Sequence, residues 1–135
     1  MTIRKAKIKD VPNLVQLAME LLKYHESFDP YFAPAKNAKD VYAKFFKRCI
    51  YSTIKQLLVA EYNGEIAGYA LGEISSRPPV FKIRNIGAIN DMFVAEKFRK
   101  SGVAKQLLTE LLDWIKRRFQ EFSATSLLNT SCGLW

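Results

Sequence analysis

The sequence has a single histidine and two cysteines in 135 residues. That is too few ligands for a zinc centre, and Cys49 and Cys132 have no metal-binding spacing. No metal is expected. No apolar run approaches membrane-spanning length, and the N-terminus lacks the apolar core of a signal peptide. Reduced thiols and a cytoplasmic location follow as the expectation, with no membrane partner. Blocks of like charge are missing too, as is any interleaving of basic with aromatic residues. The net charge of +8 therefore reads as a solvated basic face, or as a site for a polyanionic small molecule. A nucleic-acid partner is not expected.

What is present is ordinary globular composition, 49% hydrophobic and 25% charged, with nine Phe and six Tyr to fill a core. One domain spanning residues 1–135 is the natural reading, and a chain of this length buries roughly two-thirds of its unfolded surface.

Along the chain, Thr2 to Ala6 alternates weakly as a first strand. Asp10 then stands as an N-cap with Pro12 in the first turn, ahead of Leu14, Leu17, Ala18, Leu21 and Leu22 at amphipathic helical spacing. His25 falls in the last turn of that helix. It reads as a residue bonding the last carbonyls, with a catalytic base as the competing reading. Tyr24, Phe28, Tyr31 and Phe32 follow in a break ended by Pro30 and Pro34, as a plug for one end of the core or the wall of a pocket. Ala38 to Tyr51 forms a second helix with Val41, Phe45 and Cys49 on its apolar stripe.

The clearest local signal comes next. Gln56 to Tyr62 and Glu65 to Leu71 flank Asn63-Gly64, whose tolerance of positive φ suits the type I′ turn of an antiparallel hairpin. Ser75 to Lys82, with its paired prolines, is a loop, and Ile83 to Val94 is a further strand. A short basic turn leads into a third helix from Gly102 to about Phe119, with Val103, Leu107, Leu108, Leu111, Leu112, Ile115 and Phe119 at three- and four-residue steps. The Ser/Thr-rich end, residues 123–135, has room for one strand.

That basic turn, Arg99-Lys100-Ser101-Gly102-Val103-Ala104, sits where a strand feeds a helix. Uncapped N–H groups, the helix dipole and the neighbouring cations make it a phosphate cradle, although it matches neither G-x-x-x-x-G-K-[ST] nor G-x-G-x-x-G. Its Arg-x-x-Gly-x-Ala pattern resembles the Q/R-x-x-G-x-G/A signature of the GNAT N-acetyltransferases. Val59 to Tyr69 is similar to the "V-A-E-x-x-G-x-I-x-G-Y" hairpin of that family, and Ile89 to Val94 to its "L-x-D-L-Y-V" strand end.

The resemblance implies an α+β fold with a mixed, mainly antiparallel central sheet flanked by helices, in the order β-α-α-β-β-β-α, with one further strand. It implies acetyl-CoA as cofactor, with the backbone of Arg99, Lys100, Ser101, Gly102, Val103 and Ala104 on the pyrophosphate. Met92, Phe93 and Val94 would pair with the pantetheine arm, and an N–H near Phe93 or Val94 would meet the thioester oxygen. The activity implied is transfer of an acetyl group to a primary amine of a small molecule or protein by direct attack. An amine must lose a proton first, and the positions where the family carries a Glu base are Ala88 and Asn90 here. Asp91, pointing to the other face of a regular strand, and Glu73, each acting through water, are the candidate bases. Residues 121–135 depart from the family pattern, and no Tyr follows Tyr69 to serve as general acid. The alternative is therefore a catalytically impaired CoA-binding module completed by a partner or by a second copy in a homodimer.

Overall fold

The structure is a computed structural model that describes residues 1–122 and 126–130. Five strands form one sheet in sequence order: β1 (Thr2–Lys5), β2 (Lys55–Tyr62), β3 (Glu65–Ser76), β4 (Asn85–Val94) and β5 (Ser126–Thr130). The first four are antiparallel, and β5 lies parallel to the first half of β4, Asn85 to Ile89. Three helices cover the sheet: α1 (Val11–Glu26), α2 (Ala38–Tyr51) and α3 (Val103–Phe122). The α+β class, the element order and the Asn63-Gly64 hairpin expected from the sequence are all present. No helix among the described residues is long and apolar enough to cross a membrane.

Alternation along the strands divides the core in two. Leu57, Val59, Tyr69, Leu71 and Phe93 face α1 and α2, where they meet Leu14, Leu17, Phe46 and Cys49. Leu58, Ala60, Ala70, Ile89 and Met92 face α3 and meet Val103, Leu107, Leu111 and Ile115. Fully burying each large side chain contributes about 1.5–3 kcal/mol, so the faces of the helices rather than their propensities hold the layers together. Gly72 and Gly87 leave room for the Leu111 and Ile115 side chains of α3 against the sheet. A Cβ on Gly87 would lie 2.5 Å from Ile115 Cγ2.

Two local expectations need correction, and one is placed more closely. Asp10 occupies the N-cap position of α1, but its side chain caps nothing there. It is buried beneath Arg4, accepting Nη1 at 2.8 Å and Nη2 at 3.0 Å, and the Lys7 N–H at 2.8 Å, because a buried carboxylate is better served by a guanidinium than by one amide. The strand expected from Ile83 begins at Asn85, since Arg84 closes the preceding loop through its Nε and carbonyl to Arg77. Within the expected final stretch, the strand occupies Ser126–Thr130, while residues 123–125 and 131–135 lie outside the described residues.

Candidate functional site

The last residues of β4 run into a 3-10 turn, Glu96–Phe98, and then into the basic turn. Lys100 and Gly102 adopt positive φ, +66° and +85°. These kinks swing the chain into α3, whose first intrahelical bond runs from the Gln106 N–H to the Gly102 carbonyl at 3.1 Å. The N–H groups of Val103, Ala104 and Lys105 therefore have no acceptor within the helix and carry its positive end. The Ser101 hydroxyl donates to the Phe98 carbonyl. The Arg99 side chain folds inward, its Nε donating to the Val94 carbonyl at 3.0 Å and its guanidinium lying 5.3 Å from the Phe93 ring. It thus ties the turn to the strand end.

β4 carries a free edge beside this turn. Its outer neighbour β5 pairs only as far as Ile89, so no described strand covers Met92 to Val94. Phe93 sits opposite Tyr69 of β3 and turns its carbonyl inward towards Gly68. Because peptide groups alternate along a strand, the N–H and C=O of Met92 and Val94 point to the open side. That edge and the helix start share one cavity of about 500 Å3, lined by Leu21, Tyr24, Met92, Phe93, Val94, Phe98, Arg99, Lys100, Gly102, Val103, Ala104 and Lys105. Eight of the nine residues expected at a cofactor line it; Ser101 does not. A Cβ on Gly102 would meet nothing within 4 Å, so the backbone there faces open space. Tyr24, expected in the wall of a pocket, does line it; Leu21 and Phe98 were not expected there, because local spacing does not report which residues reach the end of β4.

The candidate bases lie just upstream. A β-bulge separates the pairs Leu71–Asp91 and Gly72–Ile89, leaving Asn90 as the extra residue. The expectation that Asp91 points away from Ala88 and Asn90 assumed a regular strand, and the bulge overturns it. Asp91 shares a face with Leu71, and Ala88 shares the same face with Glu73. Asp91 Oδ2 accepts from the Tyr69 hydroxyl at 2.7 Å, and Glu73 Oε2 accepts from Asn90 Nδ2 at 2.9 Å. Burial pushes the Asp91 carboxyl above the usual carboxylate range, opposed by the Tyr69 hydroxyl, the Met92 N–H and the His25 imidazole. Burial likewise raises the Tyr42 phenol, with the Asp91 charge adding to it. His25 and Tyr42 therefore stand within electrostatic reach of Asp91. His25 was expected to bond the last carbonyls of α1, and it does not. Ser27 Oγ donates to the Tyr24 carbonyl at 2.6 Å, and the imidazole lies 5.2 Å from the Phe32 ring. The aromatic break does not plug the core either: Tyr24, Phe28, Tyr31 and Phe32 are all exposed.

The model of the Acetyltransferase (GNAT) family matches residues 21–132. An uncharacterized N-acetyltransferase of Archaeoglobus fulgidus is 25% identical over 118 residues, 87% of this chain and 76% of the relative. A mutant of a Bacillus halodurans protein superposes with a TM-score of 0.82 at 17% identity, over 98% of this chain and 82% of that one. A predicted acetyltransferase with acetyl-CoA from Clostridium acetobutylicum gives 0.68 at 22%, over 95% and 79%. The two superpositions establish the fold.

Proposed function

The chain belongs to the Acetyltransferase (GNAT) family, and from that premise we propose that it transfers an acetyl group from acetyl-CoA to a primary amine. One observation carries the reading: the free edge of β4 and the N-terminus of α3 open into the same cavity. The thioester of acetyl-CoA supplies an activated acyl group. The residues here fit such a ligand, because its pantetheine amides match a strand edge that no described strand covers and its pyrophosphate matches the N–H groups at the start of α3. In this reading the backbone of Arg99, Lys100, Ser101, Gly102, Val103 and Ala104, with the Lys100 and Lys105 ammoniums nearby, holds the pyrophosphate. Met92, Phe93 and Val94 align the arm, and the outward Val94 N–H donates to the acyl oxygen. Asp91, or Glu73 acting through water, accepts the proton that an ammonium must shed before it can attack. A carboxyl raised by burial is a better acceptor for that proton than an ordinary one.

Calorimetry with acetyl-CoA and free-thiol release with a panel of amines test the proposal. The expected result is micromolar binding and amine-dependent thiol release. Absence of binding overturns the cofactor assignment. Binding without release across the panel overturns the enzyme and leaves a CoA-binding module.

A further inference from the structure

The last turn of α1 and the 3-10 turn at Pro30–Phe32 carry a patch of exposed aromatic rings. Phe28 is 74% exposed, Tyr31 86%, Tyr24 45% and Phe32 40%. The rings are not scattered: Tyr24 meets Phe28 at 5.1 Å, Tyr31 meets Phe32 at 5.4 Å, and His25 meets Phe32 at 5.2 Å. The turn that presents them is held in place by the Asp29 carboxylate, which accepts the Tyr31 N–H at 3.0 Å. Contiguous exposed aromatics, fixed in this way, mark a binding surface.

Position and charge say what it binds. Tyr24 lines the same cavity as Met92 to Val94, and His25, its neighbour, stands within reach of Asp91. The patch therefore stands beside Asp91, and Glu73 lies further along the same α1/α2 face of the sheet, opposite Ala88. A cation is drawn to such carboxylates and to the faces of Tyr and Phe rings. The rings beside them offer nothing to a hydroxylated or polycationic body, and a chain of net charge +8 repels polycations at long range.

We infer that the acceptor is a monoamine with an aromatic body, its ammonium directed at Asp91 and Glu73 and its ring laid against Tyr24, Phe28 and Phe32. This rests on the acetyl-transfer reading of the same site.

The test compares phenethylamine and tryptamine with ethanolamine, spermidine and a peptide bearing a free N-terminus, in the presence of acetyl-CoA. The aromatic amines are expected to show kcat/KM at least tenfold above the others. Phe28→Ala and Phe32→Ala should raise KM for phenethylamine at least fivefold and leave the acetyl-CoA dissociation constant unchanged. Binding of phenethylamine to the protein saturated with CoA, which has no acetyl group to transfer, is measured separately by calorimetry. Its absence overturns the inference whether or not any amine reacts. Faster turnover of ethanolamine, spermidine or the peptide overturns the substrate class and leaves acetyl transfer standing. Failure of acetyl-CoA itself to bind brings down the acetyl-transfer reading and this inference with it. Sedimentation showing a dimer that Phe28→Ala dissolves assigns the patch to a second copy and overturns the inference.

Discussion

The Tyr69 hydroxyl reaches Asp91 Oδ2 at 2.7 Å although the two residues are not partners in the ladder, where Tyr69 faces Phe93 and Asp91 faces Leu71. The bond runs diagonally along one face of the sheet. Asp91 and Phe93 alternate regularly, which puts Asp91 on the Tyr69 face, and the extra residue at Asn90 brings Ala88 onto that face as well. Loss of the hydroxyl removes one of the groups that favour the charged carboxylate. Tyr69→Phe should therefore raise the Asp91 carboxyl further, moving the acid limb of the kcat/KM profile to higher pH. Cost to stability should be about 1–2 kcal/mol, read from urea unfolding.

Asp91 should also show the strain of a functional residue. Its carboxyl binds a proton more tightly in the folded than in the unfolded chain, because burial raises it. The contribution of Asp91 to folding stability is then greatest below the ordinary carboxylate range and declines as pH rises through the raised value. Asp91→Asn removes that penalty. It should be the more stable protein at pH 7 and lose its advantage at pH 3, while thiol release falls at least tenfold.

Asp10 has the opposite sign. Arg4 holds its carboxyl below the usual range, first by direct hydrogen bonds, and Arg4 also bonds Glu61 Oε2 at 2.6 Å. The stabilisation is present at neutral pH and is lost as the pH falls through the lowered value. Asp10→Asn should cost about 2–3 kcal/mol at pH 7, since it leaves a part-buried guanidinium short of a partner. The difference in urea midpoint between variant and wild type should shrink in acid.

Gly102→Val separates ligand binding from folding. With φ at +85° and nothing within 4 Å of a Cβ, the folded protein suffers backbone strain of about 1–2 kcal/mol and no clash. The added branches would project into the cavity at the start of α3. Calorimetry should find acetyl-CoA affinity reduced at least tenfold, with a circular dichroism spectrum like that of wild type.

Gly87→Ala tests the approach of α3. Its Cβ would stand 2.5 Å from Ile115 Cγ2 and 3.1 Å from Phe119 Cζ, so the helix must move. The expected loss is about 1–3 kcal/mol in urea unfolding, and Ile115→Ala, which removes the clashing Cγ2, should cost less in this variant than in the wild-type chain.

Much of this was readable before the structure. The α2 boundaries, the hairpin and the strand-to-helix basic turn rest on local chemistry, namely apolar spacing, Asn-Gly and a lone glycine, which tertiary context did not overrule. The bulge at Asn90 was not readable. Both faces of β4 carry small or apolar residues on either side of it, so a slip in the alternation leaves no mark in Ile89-Asn90-Asp91-Met92. Asp10 looked like a cap because its sequence neighbours fit one. Its partner, Arg4, lies on β1, across a turn whose path no spacing rule reports. The aromatic break was equally opaque, since exposed and buried rings have the same letters.

Asn90 acts in effect as a parity bit for the strand. With it in place, Asp91 faces the α1/α2 side while Met92 and Val94 enter the core under α3. Deleting that single codon, with the hairpin register kept, would invert one half of β4 relative to the other. A carboxylate would then be driven into the α3 core, or Gly87 and Ile89 would be turned away from it. A one-residue deletion should thus be far more damaging here than any substitution of Asn90, whose own side chain is exposed and replaceable.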